Sequence, residues 1–411
     1  MHSTLLVLAL VSPVLAGDVL TVGNHAGADH AQIQDAVTAA SDGDVVLVWT
    51  GTYDSFLVTG KGVKVVERPG NEVRVAGSVT VLATDHHHEV TLIGLRVEAD
   101  HFTSFGQEEA LLAYGARGGL RIERCQLYGA DGWAYSGSDH GGDAARLENC
   151  LDVSFTGCHI EAGDGDWSFG GFQWNRGGDG VESKSSNVAL HTSTVLGGDG
   201  GEHDVPGDGL EGYAGHGIVL TGTSTGALHD VIAVGGDGGS GGLACPPGGH
   251  GVFVRDLAHA QLLDCTLQGG ESGCHPAGTP GDPLHVESGA TANLLPGAAR
   301  THDAPTPVLG GAPFQVEFHG QPGDAAFLLL SYGTDFMLTP QFNGALLVET
   351  PLAMERRFMG VVPAGGTLTK TLTAPPVPPG SETYSFVTQA MFQDPGGVVW
   401  LATPSVLVVL Q

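Results

Sequence analysis

Short runs of alternating apolar and polar residues recur between residues 90 and 267. Each run tends to place apolar or small residues at its positions 1, 3, 6 and 8. The change of parity in the middle predicts two short strands joined by a bend. The steps from one run to the next are 30, 33, 35, 39 and 33 residues. The six runs begin at Val90, Leu120, Val153, Val188, Ala227 and Ala260.

A second set of strand-like segments precedes these runs and begins at Ala144, Gly180, Gly217 and Gly251. Each repeat therefore contains at least two strand segments. A fixed repeat of roughly 20–50 residues marks a solenoid. Glycine-rich turns, with almost no helical period, favour a β-solenoid over a helical array. Successive coils are expected to stack about 4.8 Å apart, with like residues in ladders.

The segment before the repeats predicts a cap. Residues 31–40 are amphipathic, with Ile33, Ala36, Val37 and Ala40 on one helical face. Residues 33–66, IQDAVTAASDGDVVLVWTGTYDSFLVTGKGVKVV, resemble the N-terminal cap and first coil of right-handed parallel β-helix proteins of the pectin-lyase-like superfamily. The IQ-A-V helix, the GD before a strand and the following GTY carry this resemblance. It implies an all-β fold, a right-handed parallel β-helix with an N-terminal capping helix, in an extracellular glycan setting.

The sequence changes character near Pro296. Residues 304–313 are rich in proline and glycine, and short apolar runs with proline-rich turns follow them. This pattern predicts a linker and then a small β-sandwich. Residues 384–396, with the closing strand from Ser405, resemble a C-terminal module of secreted proteins from some environmental bacteria. The predicted organisation is a β-helix in residues 17–295, a linker in 296–313 and a sandwich in 314–411.

The first 16 residues, MHSTLLVLALVSPVLA, predict a secretory signal peptide. An apolar stretch runs from Leu5 to Val11, and Val14-Leu15-Ala16 suits cleavage before Gly17. A buried first strand is the alternative, which the short, terminal stretch disfavours. No other segment approaches the ~18–20 apolar residues of a membrane span. We therefore expect a secreted or cell-surface protein without a membrane span.

The charge of the chain restricts its partners. Asp and Glu number 45 against 16 Lys and Arg, which gives a formal net charge of −29. Such a surface repels nucleic acid and anionic membranes. An acidic polysaccharide would need a locally basic groove or bridging metal ions. The expected partners are extracellular polysaccharides or components of the cell envelope.

One column of turn residues repeats with the coils, and each member follows a glycine. The glycines are expected to serve either a positive φ or a close backbone approach. One interpretation of the column is a hydrogen-bonded ladder without chemistry. Another is a metal site formed by Asp179, His216, His250 and Asp282. The column consists of Asp143, Asp179, His216, His250 and Asp282.

The Gly-His-Gly elements at 215–217 and 249–251 resemble a signature of polygalacturonase-like glycoside hydrolases. In that family paired aspartates supply the acid and the base and the histidine assists, which implies roles for Asp179, His216 and His250. The chain lacks the family's Asn-Thr-Asp and Asp-Asp elements and an Arg-Ile-Lys after the histidine.

Two basic residues suggest a different chemistry. Lys184 and Arg255 occupy outward positions in the same row of the predicted first strands, two coils apart. A polysaccharide lyase abstracts a proton with Lys or Arg, while Ca²⁺ neutralises the uronate. Plain surface residues are the alternative. The candidate catalytic residues are therefore Lys184, Arg255, Asp179, His216 and His250.

The acidic turns and the cysteines complete the candidate sites. The loop from Asp199 to Asp208 is the strongest candidate for Ca²⁺, although solvated turns would have the same composition. Cys245 and Cys274 lie in equivalent loops of adjacent coils and favour a disulfide in an exported chain. The candidate Ca²⁺ ligands are Asp199, Glu202, Asp204 and Asp208.

Two functions remain open. The first is a non-catalytic glycan-binding or structural, adhesive role in the extracellular space. The second is a polysaccharide lyase or glycoside hydrolase that acts along the face of the β-helix. Because no complete catalytic signature is present, the sequence favours the first.

Overall fold

The structure is a computed structural model that describes residues 17–100, 109–132, 140–165, 176–201, 212–240, 245–274, 278–339, 341–349 and 355–411. The predicted signal peptide lies outside these residues. Within them the chain is mostly β-strand, with one short helix, α1 Ile33–Ala39. In this part of the chain no helix has the length and apolar character needed to span a bilayer.

Twenty-four strands build two long parallel sheets. They are β1 Val19–Val22, β2 Val45–Val48, β3 Gly51–Thr59, β4 Lys64–Glu67, β5 Val73–Leu82, β6 Val90–Ile93, β7 Leu95–Glu98, β8 Leu111–Tyr114, β9 Gly119–Glu123, β10 Gln126–Tyr128, β11 Ala145–Glu148, β12 Asp152–Thr156, β13 His159–Glu161, β14 Val181–Lys184, β15 Asn187–His191, β16 Thr194–Leu196, β17 Ile218–Thr221, β18 Thr225–His229, β19 Ile232–Val234, β20 Val252–Val254, β21 His259–Leu263, β22 Thr266–Gln268, β23 Leu284–Val286 and β24 Thr291–Leu295.

Eleven further strands form what we call the C-terminal unit, residues 301–411, whose main strand pairs are antiparallel. They are β25 Thr301–Asp303, β26 Val308–Leu309, β27 Pro313–His319, β28 Ala325–Ser331, β29 Met337–Leu338, β30 Phe342–Asn343, β31 Ala345–Leu346, β32 Glu355–Val361, β33 Thr367–Thr373, β34 Thr383–Gln393 and β35 Val399–Leu410.

The two parallel sheets have the strand order of a solenoid-like stack. Sheet I runs β1-β2-β4-β6-β9-β12-β15-β18-β21-β24. Sheet II runs β22-β19-β16-β13-β10-β7-β5-β8-β11-β14-β17-β20-β23, with β3 beside β5. From β8 to β22, each coil gives sheet II one strand on either side of β5 and gives sheet I one strand, and the last coil adds β23 to sheet II and β24 to sheet I. The apolar core lies between the sheets, and α1 packs its buried Ile33, Ala36 and Val37 against that core.

Each eight-residue run bends as its change of parity predicts. Arg124 and Thr192 have left-handed φ angles of 51° and 48° and separate the sheet I strand from the sheet II strand of their run. The register corrects one alignment, because Val188 pairs with Gly226 and not with Ala227. The fifth run therefore begins at Gly226. Its position 6 is the buried Val231, and Ile232, which the sequence placed there, is exposed.

The C-terminal unit packs across the outer face of sheet I. Val45 and Val66 of sheet I share an apolar cluster with Leu346 and Val387. Smaller residues continue the contact in a second cluster, Ala189, Ala227, Ala345 and Leu347. Sheet I is therefore buried on both faces along most of its length.

The segment predicted as a linker, 296–313, contains part of this unit. β25 pairs with β27, and β26 pairs with β35. Because these strands take up hydrogen-bonding positions at sheet edges, the segment is an ordered part of the unit and not a free connection. Pro305 and Pro307 lie between β25 and β26, and Gly310 and Gly311 follow β26.

Candidate functional site

The column of Asp and His residues is a hydrogen-bonded ladder. Asp143 Oδ1 accepts the backbone N–H of Asp179 at 2.7 Å, and Asp179 Oδ1 accepts that of His216 at 2.7 Å. His216 Nδ1 accepts the N–H of His250 at 2.8 Å, and His250 Nδ1 accepts that of Asp282 at 2.9 Å. Asp and His can replace one another in this column because each places one acceptor atom at the same point.

The ladder determines which ring nitrogen of each histidine carries the proton. A ring nitrogen that accepts a hydrogen bond carries no hydrogen, so His216 and His250 hold their proton on Nε2 when neutral. Burial lowers the pKa of His216 to about 4. Burial, and then the neighbouring His285, also lower the pKa of His250. Both rings are therefore neutral N–H donors at pH 7 and have no free basic nitrogen.

The glycines of this column serve close backbone approach. A Cβ atom on Gly215 would lie 1.7 Å from the carbonyl oxygen of Gly178, and one on Gly249 would lie 1.8 Å from that of Gly215. Neither glycine has a positive φ. The sequence left open a positive φ or a close backbone approach for these glycines, and the structure shows the close approach.

A groove with a volume of 340 Å³ lies beside the ladder, on the outer face of β14, β17 and β20. Its position follows from register, because Glu182, Val219 and Phe253 are paired neighbours on these strands and all point outward. The polar and aromatic groups that line it are Arg176, Asp179, Glu182, Tyr213, His216, His250, Phe253 and Arg255.

One end of the groove holds a tight ion pair. Arg176 Nη2 donates to Asp179 Oδ1 at 2.9 Å and to Oδ2 at 2.8 Å. The Asp179 carboxylate therefore has both oxygens engaged, since Oδ1 also accepts the His216 N–H. Burial, and then the charge of Asp179, raise the pKa of Asp143 well above its ordinary value. The two aspartates thus differ, with Asp179 held by a cation and Asp143 disposed to keep its proton.

The charged form of Glu182, a second carboxyl in the groove, is disfavoured. Burial, followed by the charge of Asp179, raises the pKa of Glu182, although Arg146 opposes the shift. Arg146 lies 3.4 Å from Glu182 Oε2 but also contacts Glu148 at 2.9 Å and Glu109 at 3.5 Å. One guanidinium shared among three carboxylates neutralises each of them incompletely.

The rest of the groove is aromatic and cationic. Tyr213 is 42% exposed. Phe253 packs its edge against the His216 ring, with the ring centroids 5.0 Å apart. The guanidinium of Arg255 lies 5.5 Å from the Phe253 ring, and its buried Nε has no hydrogen-bond partner among the described residues.

The predicted catalytic residues divide into two groups. Asp179, His216, His250 and Arg255 come together in the groove. Lys184 lies at the exposed end of β14 and is not among the groove residues. Lys184 and Arg255 do lie in one row, two coils apart. Lys184 pairs with Thr221 in the next coil, and Arg255 occupies the same row in the coil after that.

The predicted Ca²⁺ loop lies largely outside the described residues, which include Asp199 but not Glu202, Asp204 or Asp208. Asp199 belongs to a second ladder. Its Oδ1 accepts the N–H of Asp237 at 2.7 Å, and its own N–H donates to Asp164 Oδ1 at 2.7 Å. Cys245 and Cys274 form the disulfide that the sequence favoured, with their Cα atoms 5.2 Å apart.

The sequence did not single out four residues of this region: Arg176, Glu182, Tyr213 and His285. Arg176 and His285 stand three residues before Asp179 and three after Asp282, so spacing from the column is a signal for both. Glu182 lies two residues before Lys184 on β14, so alternation is a signal for its outward position. Tyr213 follows residues outside the described part of the chain and carries no periodic signal.

The ladder predicts a difference between two substitutions of His216. His216→Leu removes the acceptor of the His250 N–H, and we expect it to lower the free energy of unfolding by about 1–3 kcal/mol. His216→Asn keeps a side-chain oxygen near the same point, as the aspartates do in other coils, and is expected to cost less than about 1 kcal/mol. Urea unfolding of the two variants measures this, and equal losses would contradict the ladder.

The arrangement offers two neutral imidazole N–H donors, one carboxyl with a raised pKa, one arginine with an unused donor and two aromatic rings in a single groove. It can bind a polar ligand that has apolar faces. No model of a known protein family matches the chain, and no curated protein matches it either.

Proposed function

We propose that the chain is a secreted, non-catalytic protein that binds an extracellular glycan in this groove. The proposed architecture is a right-handed parallel β-helix of the pectin-lyase-like kind, capped by α1, with the C-terminal unit as a β-sandwich. The two parallel sheets with one strand per coil in each row support this architecture, as does the resemblance of residues 33–66.

The observation that carries the proposal is the use of the column's acceptor atoms. Asp179, His216 and His250, the column residues to which the hydrolase resemblance gives roles, each hold a backbone N–H of the next coil. Asp179 is also bound by Arg176. A general base needs a free lone pair directed at the substrate proton. All three side chains hold backbone groups of the fold, and the two histidines present only N–H donors to the groove, which favours binding over chemistry.

The rest of the groove fits a sugar. A pyranose has apolar C–H faces, which pack on aromatic rings, and hydroxyl edges, which need donors and acceptors. Tyr213 and Phe253 supply rings, and the Nε2–H groups of His216 and His250 supply donors. Arg255 would pair with a uronate carboxylate in the otherwise acidic chain.

We expect Tyr213→Ala to weaken glycan binding about tenfold, which corresponds to about 1.4 kcal/mol, because it removes the exposed ring of the groove. The matched control is Tyr114→Ala, which removes a tyrosine that is 52% exposed on β8 and outside the groove. Affinity electrophoresis against neutral and acidic polysaccharides, with and without Ca²⁺, measures the effect. Equal retardation of both variants, or binding of no glycan, would overturn the proposal.

One observation favours the alternative, a lyase or glycoside hydrolase. The raised pKa of Glu182 is the property required of a general acid that protonates a leaving oxygen. The same panel is therefore assayed for new reducing or unsaturated ends. Products that disappear in Glu182→Gln but persist in Lys184→Ala would identify the groove as a catalytic site. Products lost in Lys184→Ala and Arg255→Ala, and dependent on Ca²⁺, would establish the lyase.

A further inference from the structure

We propose that His250, Asp282 and His285 form a binding site for a divalent transition-metal ion such as Zn²⁺. The site lies at the last coils of the stack and shares His250 with the glycan groove, but its argument does not depend on the proposed glycan binding. Each of the three side chains supplies one ligand atom, and these atoms lie within 4.8 Å of one another. Within the described part of the chain, no other group of three His, Cys, Asp or Glu residues meets this condition.

The stacking of the coils brings the three residues together. His250 and Asp282 occupy the same position of adjacent coils. His285 lies three residues after Asp282, on β23. His285 Nδ1 lies 2.7 Å from Asp282 Oδ2, and His250 Nδ1 lies 4.0 Å from the same oxygen. A metal ion with bonds of about 2.0–2.2 Å needs its ligand atoms about this close. Two hydrogen bonds are exchanged for metal bonds on binding, the one between Asp282 and His285 and the one from the Asp282 N–H to His250 Nδ1.

The rings are held in place before any ion arrives. His250 and His285 stack with their centroids 4.4 Å apart and their planes 15° apart. Phe253 packs against both rings, at 5.3 Å from His250 and 5.4 Å from His285. In the metal-free chain the ladder also orients His250, through the Asp282 N–H that Nδ1 gives up when it binds the ion. Ligands that are already oriented lose little conformational entropy on binding.

The donor set selects the class of metal. Two imidazole nitrogens and one carboxylate suit Zn²⁺, Cu²⁺ or Ni²⁺, whereas Ca²⁺ prefers a shell of oxygens. The side chains of His250, Asp282 and His285 are 21%, 57% and 39% exposed, so an ion reaches them from solvent. Three protein ligands leave a fourth position for water or for an external ligand.

The test is calorimetric titration of the full mature chain with Zn²⁺, and of four variants. We expect one saturable site that weakens at least tenfold in His285→Ala and in Asp282→Asn. His259→Ala is the matched control, because His259 is an exposed imidazole on β21 that contacts Thr291 and not the proposed site. The double variant His86→Ala/His87→Ala removes the other histidine-rich segment, and it too is expected to keep the site.

A spectroscopic readout separates ligation from a structural effect. Electron paramagnetic resonance of the Cu²⁺-loaded chain should show coupling to two imidazole nitrogens, reduced to one in His285→Ala. No backbone hydrogen bond of the ladder uses the His285 side chain, so this variant should fold, and circular dichroism checks that it does. Unchanged affinity in His285→Ala, or loss of the site only in His86→Ala/His87→Ala, would overturn the proposal, whatever the glycan assays show.

Discussion

Asp152→Ala is expected to lower the free energy of unfolding by about 3–5 kcal/mol, the usual cost of breaking a buried ion pair from one side. Asp152 contacts Arg121 on the neighbouring strand of sheet I, and their side chains are only 7% and 1% exposed. Arg121 also donates to Ser154 Oγ at 3.2 Å. Without the carboxylate, a guanidinium remains charged beneath the C-terminal unit, with no counter-charge and little access to water.

Two further variants isolate that cause. In Arg121→Met/Asp152→Leu both charges are absent, and we expect most of the lost stability to return. In Glu355→Ala an exposed pair is broken, since Glu355 and its partner Arg357 are 60% and 52% exposed. This change is expected to cost less than about 1 kcal/mol. Denaturant unfolding measures all three, and a loss in Asp152→Ala no larger than in Glu355→Ala would contradict the buried-pair explanation.

The same ion pair shows where prediction from sequence ends. The inward positions of the runs follow from alternation alone, and Leu120 and Ile122 are buried as expected. Alternation also directs Arg121 and Glu123 outward, to solvent. They are buried because the C-terminal unit covers sheet I, a contact between segments nearly 300 residues apart that no local period can reveal.

The candidate site was predictable to a similar degree. The column from Asp143 to Asp282 could be aligned from the glycines because its spacing is the spacing of the coils. The groove could not be predicted from the sequence, because Arg176 and Tyr213 reach it from turns whose lengths vary between coils. The pattern Gly-His-Gly is compatible with both a catalytic and a structural role. Only the positions of the acceptor atoms show that the histidines bind the backbone.

Glu123 makes the docking of the C-terminal unit dependent on pH. Its side chain accepts the Val406 N–H at 2.5 Å and contacts Ser405 Oγ at 3.3 Å. Burial raises the pKa of Glu123 from 4.5 to about 7, against the opposing effects of Arg124 and these hydrogen bonds. Between pH 4.5 and 7 the folded chain therefore keeps a proton that the unfolded chain releases. This contribution to stability is fully present below pH 4.5 and is lost as the pH rises through 7.

We expect the unfolding free energy of the wild type, minus that of Glu123→Gln, to fall by on the order of 3 kcal/mol across this range. The difference is needed because buried histidines act in the opposite direction. Burial lowers the pKa of both His229 and His302 to about 4. Their contribution is present above pH 6.5 and is lost as the pH falls towards 4. The wild type and Glu123→Gln both contain these histidines, so subtracting one unfolding free energy from the other removes their effect.

Ser405→Ala is the matched control, because it deletes one hydrogen bond to Glu123 and keeps the carboxyl group. Its difference from the wild type is expected to vary much less with pH than that of Glu123→Gln. Urea unfolding at intervals from pH 4.5 to 8 gives both curves. A flat difference for Glu123→Gln would mean that water reaches Glu123 in solution. The C-terminal unit would then be only loosely held on sheet I, and the loss expected for Asp152→Ala should shrink with it.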